Sequence, residues 1–367
     1  MLNAIGSKGV DMLKDAFSAT IKYMQIMDEN GSVDQQLMPN DLQDQTLVEF
    51  YKMMNLARNL DAKALSLQRQ GKLATYAPLI GEEATQIGSA MAMRQNDFAV
   101  PNFRQHGVYI ARGLPLEQFF VYWKGYEEGA AIDKKLNMTP VIVPVATQMP
   151  HAAGIAFAKK YMKEDSVVVT YVGDGGTSEG DFYEAINFAG VFKVPLVVII
   201  ENNQWAISVP RTEQTAAQTL AQKAIAAGID SIQVDGNDVV AVYKATLDAI
   251  ESARAGKPYV IECLTYRMSM HTTSDDPTKY REDSEVEVWK KRDPIARLGA
   301  YLRAKGLWDD SKENALKDEQ LKSIDEALAK ADEFKPDPDS IFRNVYSQMP
   351  KVLEEQLEDA KGSNYWQ

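Results

Sequence analysis

The sequence predicts an α/β fold: a doubly wound, mainly parallel sheet with an N-terminal helical arm and a helical C-terminal region. Three observations carry that expectation. From about residue 46 to 270, short β-branched runs alternate with helical patterns, as strands joined by crossover helices do. Within that stretch one strand–helix–strand unit ends both of its strands in polar turns. The run 167–172 leads into Gly173-Asp174-Gly175-Gly176, residues 181–192 read as the helix, and the apolar run from Leu196 ends in Glu201-Asn202-Asn203. Beyond Asp276 the chain becomes charged and helical in pattern.

Taken in order, residues 1–45 read as an arm and linker. Val10, Leu13, Phe17 and Ile21 fall at helical spacing, and Asn30-Gly31 and Pro39-Asn40 are turn signals. Residues 46–275 read as the α/β domain, with candidate strands at 98–100, 141–145, 167–172, 197–200, 231–234 and 260–265. Helical patterns lie between them, among them 215–227 and 238–254. Residues 276–367 read as a helical extension, broken at Lys335-Pro336-Asp337-Pro338.

Composition excludes several classes. Hydrophobic content of 45% and charged content of 25% suit a soluble globular chain. A net charge of −12 argues against general nucleic-acid binding. No run reaches the roughly 18 apolar residues of a membrane span, and the first twenty or so residues mix acids with lysines, unlike a secretory signal. Cys263 is the sole cysteine, so no disulfide forms within the chain and a reducing cytoplasm is the expected home.

The Gly173–Asn203 unit carries chemistry. Asp174 offers a carboxylate and Asn203 a neutral carbonyl oxygen, the hard ligands Mg²⁺ takes beside phosphates and water. Gly175 and Gly176 let the backbone approach a bulky anion, and a helix opening near Ser178 adds free N–H groups and a positive dipole end. Gly-Asp-Gly alone is ordinary turn chemistry. Its place between two strands, with amides closing the second, favours a metal-bound diphosphate at the carboxyl ends of parallel strands.

The unit resembles the thiamine diphosphate motif. More closely, the chain resembles the alpha subunit of the decarboxylating first component of 2-oxo acid dehydrogenase complexes, from about Ile21 to Pro350. The likeness includes Tyr76-Ala77-Pro78, Gly81-Glu82-Glu83-Ala84, Pro101-Asn102-Phe103-Arg104, Ala146-Thr147-Gln148, Tyr266-Arg267 and, most specifically, His271-Thr272-Thr273-Ser274-Asp275-Asp276-Pro277 with Tyr280-Arg281. It implies that thiamine diphosphate is held by Phe103, Arg104, Val145, Gly173, Asp174, Gly175, Gly176, Asn203, Ile207 and His271. It implies that Asp174, Asn203 and the main-chain carbonyl of Trp205 hold Mg²⁺. Ile207 reads as core by type, and Thr147 and Gln148 match positions that hold a monovalent cation in some relatives.

Among the three histidines, His271 is expected to assist acyl transfer to a lipoyl group. His106 is expected at the surface, and His151 early in a helix with no role assigned. Thr272 follows the histidine and Glu282 follows Arg281, so the serine-kinase control of animal relatives is not expected. Glu201 stands where branched-chain enzymes carry an arginine, which favours pyruvate as substrate, whereas Thr75 replaces an aromatic expected near the substrate.

The resemblance therefore implies oxidative decarboxylation of pyruvate, with acyl transfer to the lipoyl-bearing acyltransferase. It implies activity only with a beta subunit, which supplies the glutamate that activates the cofactor, in a heterotetramer of two alpha and two beta chains. Branched-chain 2-oxo acid cleavage, acetoin cleavage, a transketolase-like reaction and a non-catalytic scaffold are the alternatives.

Overall fold

The computed structural model describes residues 15–337 and 339–362. The chain forms β1 (Lys22–Met24), α1 (Asp44–Arg69), α2 (Glu83–Ala92), β2 (Phe98–Val100), α3 (His106–Ala111), α4 (Leu116–Trp123), α5 (Gln148–Tyr161), β3 (Val168–Gly173) and α6 (Gly180–Phe192). It continues through β4 (Leu196–Asn202), the short hairpin β5 (Trp205–Ala206) and β6 (Val209–Pro210), α7 (Arg211–Gln214), β7 (Asp230–Asp235), α8 (Val239–Arg254) and β8 (Tyr259–Leu264). Helices α9 (Asp283–Lys290), α10 (Pro294–Ala304), α11 (Asp310–Glu333), α12 (Ser340–Arg343) and α13 (Lys351–Gly362) follow.

Six strands pair in parallel in the order β1-β7-β8-β4-β3-β2. Side chains of a strand alternate between faces, and here both faces are buried. Val168 and Val172 of β3 pack with Met149 and Ala152 of α5 and with Phe182 and Ile186 of α6. Val169 and Tyr171 pack on the opposite face with Val242 and Ala249 of α8. Two-sided burial explains why these strands read as unbroken apolar runs. Each fully buried valine or isoleucine contributes about 1.5–3 kcal/mol.

The helical C-terminal part shares this core. Ile295 and Leu298 of α10 pack with Phe50 and Met54 of α1, and Ile324 and Ala327 of α11 pack with Leu60 of α1 and Phe120 of α4. Arg297 donates to Asp235 at 2.7 Å and to the carbonyl of Met27 at 3.0 Å, joining α10, β7 and the N-terminal segment. Asp238 does more. One of its oxygens caps α8 through the amides of Val240 and Ala241, at 3.0 and 3.1 Å. The other accepts from the amides of Ile26 and Met27, at 2.7 and 2.6 Å.

Several expectations are corrected. Residues 141–145 form no strand. Pro140 and Pro144 lack donors, and β2, the edge strand, pairs on this side only with the chain before them, at an isolated bridge between Ala99 and Met138. The helical pattern at 215–227 is helical only over Ala221–Ala227, as a tight three-residue turn helix. Before it, the guanidinium of Arg211 takes the carbonyls of Ala217 and Gln218, and Thr215 is extended. Within the arm, Val10 and Leu13 lie outside the described residues. Phe17 and Ile21 sit in extended chain leading to β1, whose main chain pairs with β7 at Lys22–Ile232. Pro338 of the predicted breaker also lies outside the described residues.

Replacing Asp238 with alanine removes a helix cap and the anchor of the N-terminal segment together. A loss of about 3 kcal/mol is expected, read as a lower midpoint in calorimetry. An unchanged midpoint would show that the four amides find other partners.

Candidate active site

The register of β3 and β4 sets Gly173 beside Glu201. Because the strands are parallel, both leave the sheet at the same edge, one into Asp174–Gly176 and the other into Asn203. A cleft of about 570 Å³ opens there. Phe103, Arg104, Val145, Gly173, Asp174, Gly175, Gly176, Asn203, Trp205, Ile207 and His271 all border it, so the structure brings every predicted site residue to one place.

The glycine turn is tightly built. A Cβ on Gly175 would meet the Cβ of Ala206 at 2.6 Å, and one on Gly176 would meet Cγ2 of Val172 at 2.5 Å. A Cβ on Gly173 would enter open space in the cleft, the room a ligand needs to lie against backbone. Lys223, buried, holds the turn from below by donating to the carbonyl and hydroxyl of Thr177, at 2.8 and 2.9 Å. Asp174 accepts from Gln214 at 2.9 Å, yet burial raises its pKa to about 6. Burial outweighs the attraction of Arg267, so this carboxylate is a group that a bound cation would relieve.

Across the cleft, Asn203 donates its Nδ2 to Glu82 at 2.8 Å, which fixes the amide and leaves Oδ1 as acceptor. The carbonyl of Trp205 accepts from Arg267 at 2.8 Å and keeps a second lone pair. A carboxylate, an amide oxygen and a main-chain carbonyl form an all-oxygen donor set, and with the Cβ-free cradle at Gly173 they fit Mg²⁺ and a diphosphate. Among the described residues six non-glycine positions have positive φ; Ile207 lines this cleft, and Ala146 and Gln204 adjoin its lining residues Val145, Asn203 and Trp205. Ile207, at φ 53°, is β-branched and strained, and Arg267 holds its carbonyl at 2.7 Å. It is 54% exposed, which corrects the core reading of that residue.

His271 is locked by two arginines. Arg104 donates to its Nδ1 at 3.0 Å and to its carbonyl at 2.9 Å, and Arg267 reaches Nδ1 at 3.4 Å. Arginine only donates, so Nδ1 is the acceptor and the proton of the neutral ring sits on Nε2. Burial, then the two guanidiniums, lower the pKa of His271 to about 3. The loop after it is stiffened by Asp275, which accepts from the His271 amide at 2.7 Å and from the Tyr280 hydroxyl at 2.5 Å. Phe103 meets the imidazole edge-on at 5.9 Å.

Two carboxyls lie under the cleft. Glu201 accepts from Gln105 at 2.6 Å. Burial and then the neighbouring Glu82 push its pKa far up. His106 is not at the surface as expected. It is buried, stacked 5.0 Å from Tyr76, and donates through Nε2 to the carbonyl of Ala77 at 2.9 Å. His151 does lie early in a helix, in α5, exposed, with its ring bonded to the carbonyl of Thr147 at 2.6 Å.

Arg267, Gln105, Gln214 and Lys223 were not singled out as site residues. Arg267 carried the one available signal, a buried-type cation at a strand end four residues before His271.

The family described as "Dehydrogenase E1 component" matches residues 51–339. The pyruvate dehydrogenase E1 component subunit alpha of Staphylococcus epidermidis is 45% identical over 340 residues, covering 92% of each chain. That of Staphylococcus aureus is 44% identical over 352 residues, covering 95% of each. Matched over residues 51–339, with one cleft that gathers a glycine turn, an amide and a locked histidine, this chain belongs to the dehydrogenase E1 component family.

Proposed function

We propose that the chain is the alpha subunit of a pyruvate-decarboxylating E1 component that passes its acetyl group to a lipoyl group on an acyltransferase. The observation that carries this reading is the convergence of all eleven predicted residues on one cleft, in a chain so similar to pyruvate dehydrogenase alpha subunits.

Asp174, Asn203 and the Trp205 carbonyl would hold Mg²⁺. The turn 173–176, Phe103 and Arg104 would hold the diphosphate of thiamine diphosphate, with Val145 and Ile207 against the rest of the molecule. Bound there, the cofactor supplies the electron sink through which a 2-oxo acid loses carbon dioxide. The chain's own groups do the positioning. Arg104 and Arg267 fix the imidazole tautomer, and His271 keeps an Nε2–H to donate to an oxygen or sulfur in the cleft during acyl transfer.

A beta subunit fits the apolar rim. Val143, Val145, Ile207 and Val209 are exposed around the cleft mouth, and Phe157, Tyr161, Met162 and Phe192 are exposed on α5 and at the end of α6. Surfaces of this kind mark protein contacts. A cytoplasmic location is part of the proposal and rests on Cys263, single, buried and free. Among the described residues no helix is long and apolar enough to cross a membrane.

Three outcomes are expected. Co-expressed with its beta partner, the chain should turn over pyruvate with a kcat/KM at least about ten-fold above that for 3-methyl-2-oxobutanoate, a gap of roughly 1.4 kcal/mol. The reverse order would make it a branched-chain enzyme. Asp174→Ala should weaken binding of thiamine diphosphate with Mg²⁺ by about 10–100-fold in calorimetry, and unaltered binding would remove Asp174 from the metal site. His271→Ala should lower lipoyl-dependent acyl transfer by at least about 100-fold while sparing decarboxylation with an artificial acceptor. Because His271 is already neutral, the wild-type transfer rate should show no histidine limb between about pH 5 and 8.

A further inference from the structure

Asp61 lies in the interior of α1, away from the cleft, and is 2% exposed. A buried carboxylate in mid-helix is costly unless it binds something. Its Oδ1 accepts from the hydroxyl of Tyr76 at 2.7 Å and from the amide of Leu79 at 3.0 Å. Both donors belong to the segment between α1 and α2 that supplies Thr75 and Ala77 to the cleft wall.

Several further ties of that segment lead toward the cleft. The amide of Tyr76 donates to Oγ1 of Thr273 at 3.0 Å, and the amide of Thr273 returns a bond to the carbonyl of Tyr76 at 2.9 Å. The carbonyl of Pro78 accepts from Nη1 of Arg104 at 2.5 Å, the same guanidinium whose Nη2 grips His271. The Tyr76 ring stacks on His106 and meets Trp123 edge-on at 5.0 Å, and Trp123 borders the cleft.

We infer that Asp61 is a positioning residue: through Tyr76 and Leu79 it sets the 76–79 segment, and through Thr273 and Arg104 that segment sets His271. Asp61 touches neither the cleft nor any group bound there. Its work is to hold two donors of the 76–79 segment at a defined height along α1, a directional restraint that the packing of Tyr76 and Leu79 on Leu60 and Ala64 does not supply. Acceptance by Oδ1 is what matters. Burial raises the pKa of Asp61 to about 7, so a neutral acceptor such as asparagine is close to a state the site already visits.

The test compares Asp61→Asn, Asp61→Leu and Tyr76→Phe in the assembled enzyme. Hydrogen exchange at the Thr273 amide is the first readout, with the amides of β4 as the control for folding. In Asp61→Leu, Thr273 protection should fall at least about ten-fold while β4 stays protected. Asparagine should retain protection, and Tyr76→Phe, which keeps the Leu79 bond, should lie between. The second readout rests on the proposed reaction. Asp61→Leu should lower kcat for lipoyl-dependent transfer about ten-fold while the KM for the 2-oxo acid and decarboxylation with an artificial acceptor stay near wild type. If Asp61→Leu disturbs β4 as well, Tyr76→Phe decides: full Thr273 protection there overturns the inference, and partial loss supports it. Equal loss in the asparagine and leucine variants also overturns it. The exchange result stands whatever substrate the enzyme takes, so a wrong substrate assignment and a wrong role for Asp61 are told apart.

Discussion

The parallel pairing of β3 with β4 is the constraint on which the rest depends. Hydrogen bonds in a parallel ladder fix the relative height of two strands, and here they end them level, at Gly173 and Glu201. Everything chemical at the cleft follows from that level ending. Asp174 and Asn203 face the same space because neither strand outruns the other. Residues from other elements, such as Arg104 after β2 and Arg267 after β8, reach the same edge because those strands run in the same direction. A slip of one residue would reverse the faces of a whole strand and take Asp174 from Asn203.

Charge is distributed unevenly. The chain carries a net charge of −12, yet Arg104 and Arg267 at the cleft are held chiefly by neutral acceptors: the carbonyls of Pro78, Trp205, Ile207 and His271, and the His271 ring. Glu82 lies 3.9 Å from the nearest nitrogen of Arg104. Hydrogen bonds to carbonyls satisfy the geometry of a guanidinium without cancelling its charge. The positive field is left for an anion, and burial with the nearby Glu82 raises the pKa of Glu201, which disfavours a second full negative charge there.

Legibility in the sequence followed the range of the interactions. The strands at 167–172, 197–200 and 260–265 were readable because burial on both faces demands β-branched runs, and their ends were readable because glycine and amide residues punctuate them. The run 141–145 is as apolar, but Pro140, Pro144 and the end of its pairing with β2 at Met138 are what decide, and the last of these is a tertiary fact. β1 is three residues long with no periodicity of its own, and its strand character comes from β7, more than two hundred residues away. His106 looked like a surface histidine because its partner, the Tyr76 ring, is separated from it in sequence. The cleft residues were legible as a set through the family resemblance. Lys223 and Gln214, which brace the glycine turn, lie in segments with no motif, and their roles exist only in three dimensions.

The strand order has a consequence for synthesis. Among the described residues β8 is the last strand to leave the ribosome, yet it lies inside the sheet, between β7 and β4. Until it is made the sheet exists as two pieces. One, β2-β3-β4, already holds both ends of the glycine–amide unit. The other, β1-β7, awaits its only link to the rest of the sheet. During that interval β4 and β7 are open edges, β4 apolar from Leu196 to Ile200 and β7 carrying Ile232 and Val234 among polar residues, and open edges are the surfaces on which strands of other chains add. The chain is thus most exposed to misassembly after β7 has emerged, and the insertion of a single central strand ends that exposure.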